Sequence, residues 1–203
     1  MSTLFIASKN RHKVDEFRDM LAELDLAVLP LPDDCPESPE TGATFAENAV
    51  QKARFYSAFV DGFVLADDSG LCVDYLGGAP GVFSARYAGD HGNDSANNAK
   101  LLRELEGVPD AKRTAQFVCA LAVHHPQWNA DLVVEGSVPG LILTHLRGDK
   151  GFGYDPLFYL PELGKSVAEL EPSEKNRVSH RALAVRHLLQ RWRGEVDAPV
   201  HRQ

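Results

Sequence analysis

Apolar and polar positions succeed one another along this chain in strand-like runs and helical repeats. Thr3 to Ala7 reads as a short buried strand. Val14, Phe17, Leu21 and Leu24 then recur at spacings of 3, 4 and 3, which predicts a helix to about Leu24 with one buried face. Ser8 or Asn10 can cap it. Leu26 to Leu31 reads as a second strand, and the acidic, proline-rich stretch Pro30 to Pro39 as an exposed loop. Thr44 and Glu47 form a capping-box pattern ahead of a helix from Phe45 to about Val60. Its apolar face (Ala46, Ala49, Val50, Ala53, Val60) is mostly small, which suits close packing on a sheet. Asn48 and Lys52, four apart, share another face.

Phe63 to Ala66 is a further apolar run, closed by Asp67 and Asp68. Ser69 and Gly70 then predict a turn before a second run through Leu71, Cys72 and Val73. The glycines and proline of Gly77 to Gly81 predict an irregular loop. Asn93 to Gly107 reads as a helix with Asn93 or Asp94 as its cap. Arg113 to His124 and Asp131 to Val138 read as strands, and their short connection predicts an antiparallel pair. A last helix is predicted from Ser173 to about Arg193, with Val178, Ala182, Val185, Leu189 and Trp192 buried. The pattern as a whole predicts an α/β fold with a mixed sheet flanked by helices.

The 203 residues suffice for a single two-lobed domain, here placed at 1–195, with 196–203 as a frayed tail. Apolar residues at 44% and charged residues at 25% are ordinary for a globular protein. The net charge of −8 argues against a nucleic-acid or anionic membrane surface, so any site for phosphates must gather its cations locally. Cys35, Cys72 and Cys119 form no CxxC pair, and the histidines no HExxH, so a zinc site is not expected. No run reaches membrane-spanning length and the N-terminus lacks a signal pattern, which makes cytoplasmic the default location.

The chemistry concentrates in a few stretches. Asp67 and Asp68 end a buried run, and carboxylates there need a partner such as Mg²⁺, unless they belong to a solvated Asp-Ser-Gly turn. Ser8, Lys9, Asn10, Arg11, His12 and Lys13 link a strand to a helix N-terminus. That is either a phosphate cradle or a solvated basic turn, and it is not a P-loop, since it has neither glycines nor GK[ST]. Phe152 and Tyr154 sit among glycines in Arg147 to Pro156, as in a base-stacking platform or a packed turn. Lys175, His180 and Arg181 fall in the first turns of the predicted last helix, where cations oppose the dipole unless an anion binds.

The segments SKNRHK (8–13), ETGATFAENAVQKA (40–53), ADDSGLCVDYLGGAPGVFSARYAG (66–89), GFGYDPLF (151–158) and EKNRVSHRALA (174–184) occur in family order over nearly the whole chain. Together they resemble the inosine triphosphate pyrophosphatases, also called noncanonical purine NTP or dITP/XTP pyrophosphatases. Lys9 stands where many members carry glycine, which makes Asn10 and Lys13 the stronger candidates. The resemblance implies hydrolysis of ITP, dITP or XTP at the α–β linkage to the monophosphate and pyrophosphate, with Mg²⁺ as cofactor. It implies a homodimer, and a nucleotide cleft between two lobes. Ser8 to Lys13 and Lys52 would then hold the triphosphate, and Glu40 and Asp68 the metal. Asp68 would also be the proton acceptor. Ser69, Phe152, Gly153, Tyr154, Asp155, Lys175, His180 and Arg181 would contact the nucleotide.

Electrostatic stabilisation is the main contribution a protein can make to such a reaction, and Lys13, Lys52, Lys175 and Arg181 would supply it. A metal would orient the phosphate and acidify the attacking water, which a weak carboxylate base requires. Donors from His180, Arg181 or loop backbone would select the six-position oxygen of hypoxanthine and xanthine over the amino group of adenine. If a strand continued through both aspartates, they would face opposite ways. Asp67 is then either a group orienting a cation or a ligand brought round by a kink at Ser69-Gly70. The competing functions are a Maf-like pyrophosphatase for modified pyrimidine nucleotides and a nucleotide sensor without turnover.

Overall fold

The computed structural model describes residues 2–128 and 130–195. The segment 196–203, expected above to be a frayed tail, lies outside them. Strand β1 (Ser2–Ile6) leads through Ser8 to Asn10 into helix α1 (Arg11–Met20), and β2 (Leu26–Pro30) follows. Helix α2 (Phe45–Tyr56) precedes the long strand β3 (Phe63–Val73). Helix α3 (Asp94–Glu104) comes next, then strands β4 (Thr114–His124) and β5 (Leu132–Ile142). Short strands β6 (Phe158–Leu160) and β7 (Lys165–Ser166) and helices α4 (Pro172–Val178) and α5 (His180–Glu195) complete the order. The sheet has seven strands ordered β2-β1-β3-β4-β5-β6-β7. It is mixed: β1 runs parallel to β2 and β3, whereas β6 is antiparallel to β5 and β7. Among the described residues no helix is long and apolar enough to cross a membrane.

The chain forms two compact units. The first comprises residues up to Asp68, Cys119–Gly136 and the segment from Arg181. Its strands are covered on both faces, as their near-continuous apolar runs require. Leu65, Cys119, Leu121 and Val123 pack with Val14 and Phe17 of α1 and Val185 and Leu188 of α5. Val64, Ala66, Ala120 and Ala122 pack with Ala49 and Ala53 of α2. Odd and even positions of β3 therefore serve different layers, as a pleated strand dictates. The second unit comprises Ser69–Val118 and Ser137–His180, and its core joins Leu71, Val73, Leu101, Phe117, Phe158 and Leu170.

Several sequence expectations change. No turn interrupts Asp67 to Gly70, because β3 runs on through them for 11 residues. The last helix is two helices, broken at Ser179, whose backbone is extended (φ −70°, ψ 158°). Lys175 consequently lies in the last turn of α4, where a cation suits the dipole, so the argument for an anion beside it does not hold there. Helices α1 and α2 end earlier than their periodicity predicts, at Met20 and Tyr56. The caps agree with expectation. Asn10 Oδ1 accepts from Lys13 N at 3.3 Å, and Thr44 and Glu47 complete a capping box.

Candidate functional site

The first unit gathers its charged residues where β1 ends. Ile6 of β1 is registered with Leu65 of β3, so Asp67 and Asp68 lie just beyond the carboxyl end of β1. Ligands of open α/β sheets bind at that end of the strands. The strand continues through both aspartates, so their side chains leave opposite faces. Asp67, 3% exposed, faces the layer of α1 and α5. Its Oδ2 accepts from Lys13 Nζ at 2.9 Å and lies 3.8 Å from Arg181 Nε. Arg181 is itself buried, with Nη1 2.6 Å from Glu16. Asp67 is thus paired with cations of α1 and α5.

Asp68 faces α2. Asn48 Nδ2 donates to its Oδ2 at 2.9 Å, and Lys52 Nζ stands 3.6 Å from its Oδ1. One helical turn separates Asn48 from Lys52, so the shared face noted in the sequence serves a single carboxylate. Lys52 Nζ also lies 2.5 Å from Glu40 and donates to the Asp67 carbonyl at 3.2 Å. Asn48, only 1% exposed, accepts at its Oδ1 from the Gly42 N–H at 2.8 Å. That ties the Glu40–Gly42 segment to the same amide. Any side chain at Gly42 would collide there, since a Cβ would come within 2.8 Å of Asn48 Oδ1.

These surroundings push the two aspartates apart electrostatically. Burial opposes ionisation of Asp67, but Lys13, Arg181 and Lys52 outweigh it and hold this carboxyl well below the usual range. Burial raises Asp68, and Glu40 and Asp67 add to the rise, while Lys52 and Asn48 offset it only in part. Burial also disfavours a charged Lys52, yet Asp68, Asp67 and Glu40 more than compensate, so its affinity for the proton is raised. A pair of carboxyls driven in opposite directions is the arrangement that divides an ionised residue from a proton acceptor.

Among the described residues no three His, Cys, Asp or Glu side chains stand close enough to hold a metal ion by themselves. Glu40 and Asp68, both beside the Lys52 ammonium, form a smaller set of hard oxygen donors. Mg²⁺ suits such a set, because it commonly takes one or two carboxylates and completes its shell with water and phosphate oxygens. The residues present therefore fit Mg²⁺ in company with a phosphate ligand. Ser8 Oγ accepts from the Asn10 N–H at 3.2 Å, which shapes the turn ahead of α1. Lys9 pairs at the surface with Glu37, at 3.6 Å, and Arg11 is exposed. Lys13 of this stretch reaches Asp67. The side chain of His12 lies outside the described residues.

The second unit holds the other expected contacts. Lys175 Nζ is 3.0 Å from Asp155 Oδ2 and 4.5 Å from the Phe152 ring centroid, and the Phe152 N–H donates to the same carboxylate oxygen at 3.1 Å. Gly151 (φ +76°) brings its backbone so close that a Cβ there would strike the Asp155 carboxylate. Tyr154 is packed, its hydroxyl donating to Ser84 O at 2.8 Å, whereas Phe152 is half-buried. His180 stacks on Phe117 at 4.8 Å. Ser69, the second residue of β3 beyond Asp67, is half-buried. Asn48, Glu16, Ser84, Asp94 and Asn98 were not among the expected site residues; only the four-residue spacing of Asn48 and Lys52 pointed to one of them.

The family model described as the Ham1 family matches residues 4–191. The chain belongs to the Ham1 family. It is 55% identical over 194 residues to the dITP/XTP pyrophosphatase of Geobacillus kaustophilus, covering 95% of each chain. It is 50% identical over 190 residues to that of Listeria innocua, covering 93% of each. Among solved structures, the HAM1 protein of Coxiella burnetii superposes with a TM-score of 0.86 at 39% identity, covering 96% of this chain and 100% of that one. The Staphylococcus aureus Ham1 protein gives 0.84 at 39% identity, covering 95% and 99%. The mixed α/β sheet described above is the Ham1 fold.

Proposed function

We propose that this Ham1 protein hydrolyses noncanonical purine nucleoside triphosphates (dITP, ITP and XTP) to the monophosphate and pyrophosphate. The observation that carries the reading is the opposed environment of Asp67 and Asp68 on one strand, each held by its own lysine. Lys13 and Lys52 meet the phosphate charge, which grows on the leaving pyrophosphate. Ser8, Lys9, Asn10, Arg11 and His12 approach the same phosphates ahead of α1, Asn10 and Lys13 foremost.

Asp68 accepts the proton of the attacking water. Asp67 stays ionised and keeps the Lys13 ammonium oriented. Glu40 and Asp68 would hold Mg²⁺, which when bound neutralises phosphate charge and lowers the pKa of its water. Phe152 stacks on the base, and Gly153, Tyr154, Asp155, Lys175 and Ser69 complete its surroundings. His180 supplies a donor toward the purine six position, where adenine offers an amino group in place of an oxygen, while Arg181 helps to keep Asp67 ionised. The protein works as a cytoplasmic homodimer that cleanses the nucleotide pool.

The test is kcat/KM for dITP, ITP, XTP, ATP and modified pyrimidine triphosphates with Mg²⁺. Strong preference for the first three is the expected result. Equal turnover of ATP, a preference for the pyrimidines, or binding without turnover would each overturn the proposal.

A further inference from the structure

We infer that Asp94 and Asn98, at the start of α3, are positioning residues for base recognition, acting through the peptide groups of Gly153. This rests on the reading that Phe152 and its loop receive the purine. The Gly153 N–H donates to Asp94 Oδ2 at 2.7 Å, and the Gly153 carbonyl accepts from Asn98 Nδ2 at 2.8 Å. Asp94 and Asn98 are four apart and so lie on one face of α3, where they hold both ends of a single residue. The Asn98 amide is itself aimed by a second bond, from Nδ2 to the Asp94 carbonyl at 2.9 Å. Gly153 has a left-handed backbone (φ +63°) and open space where a Cβ would be, so backbone conformation accounts for glycine there.

Neither side chain is the N-cap of α3. Asn93 caps the helix, accepting from the Ala96 N–H at 3.1 Å. Asparagine is a poor helix former, and Asn98 is 6% exposed with its Oδ1 lacking a hydrogen-bond partner among the described residues. A buried, unsatisfied acceptor is unfavourable. The bond to the Gly153 carbonyl is what the residue gains in return. Asp155 and Lys175 hold the Phe152 backbone and ring as well, so Phe152 and its neighbour Gly153 are each restrained.

The experiment compares Asp94→Ala, Asn98→Ala and Asp94→Asn with the wild type. KM for dITP should rise about tenfold in both alanine variants, the scale of a small misplacement of a binding group, while kcat changes little. Inorganic tripolyphosphate, which has no base, should inhibit all four proteins with the same Ki. Asp94→Asn keeps an acceptor for the Gly153 N–H and should restore most of the KM. Amide hydrogen exchange across 151–155 should accelerate in Asp94→Ala and not in Asp94→Asn. Unchanged exchange, unchanged KM, or a tripolyphosphate Ki that rises in step with KM would overturn the inference. Wild-type protein that releases no pyrophosphate from dITP would instead overturn the function on which it rests, with exchange still reporting on the clamp.

Discussion

Asn48 is the most informative residue to change, because its one amide serves both the Asp68 carboxylate and the Gly42 N–H. Asn48→Ala removes a hydrogen bond to a charged acceptor, a contribution of about 1.5–3 kcal/mol, and leaves the half-buried Gly42 N–H without its acceptor, at a further cost of about 1 kcal/mol. The alanine returns roughly 0.5 kcal/mol of helix propensity, and water or local relaxation recovers part of the rest. The expected loss of stability is therefore about 2–4 kcal/mol. Turnover should suffer separately. Residues that orient a metal-ligating or reacting group typically matter by about 10- to 100-fold, and Asp68 would lose the Asn48 amide donor while Glu40 lost its tether through Gly42.

Asn48→Asp sharpens the test. It keeps an acceptor for Gly42 but turns the donor facing Asp68 into a second acid. Burial already raises Asp68, and a new neighbouring carboxylate would raise it further. An acid whose folded pKa is raised resists ionisation in the fold, so its penalty grows as pH climbs above the unfolded value near 4. Asn48→Asp should thus lose stability relative to wild type between about pH 4 and 7, whereas the deficit of Asn48→Ala should vary less with pH. Urea unfolding across that range and pyrophosphate release from dITP measure both effects. Stability within about 0.5 kcal/mol of wild type and kcat/KM within about twofold, in both variants, would refute the reasoning.

Other outcomes follow from the same geometry. Asp68→Asn should retain nucleotide binding and lose most turnover; wild-type rates would contradict its role as proton acceptor. Lys13→Ala should weaken binding of a non-hydrolysable triphosphate by about 10- to 100-fold, the worth of a charge-assisted contact, and unchanged affinity would count against the cradle. Asp67 has a depressed folded pKa, so it contributes stability above its unfolded value near 4 that is lost as pH falls toward the folded one. Asp67→Asn should flatten that acid limb in a urea titration, and an unaltered limb would show that other carboxyls set it.

Elements with strong periodicity were legible in the sequence: β1, the helix faces of α1 and α2, the Thr44 capping box, and the long β4. The turn predicted at Asp67 to Gly70 was not there, for a reason local composition cannot carry. Asp, Asp, Ser and Gly are turn residues when solvated, but here each aspartate is met by groups distant in sequence. Lys13 lies 54 positions away, Asn48 lies 20 and Lys52 lies 15. Those partners let the ladder run through. The break at Ser179 was equally hidden, since neither glycine nor proline marks it. Strands β6 and β7 are too short to show alternation.

For the site, the charged residues could be nominated from the family segments, but their grouping could not. Lysines 13 and 52 both approach the aspartates from opposite layers, whereas Lys9 turns to Glu37 at the surface. Asp94 and Asn98 read as no more than helix-start residues, because the loop they hold lies more than 50 positions away.

The account stands or falls on which bond is cut and which nucleotides are taken. Phosphorus NMR of dITP turnover with Mg²⁺ reports the products directly. Equal amounts of dIMP and pyrophosphate, with ATP left intact under the same conditions, are the predicted result; dIDP with orthophosphate, or a dITP spectrum that does not change, would contradict it.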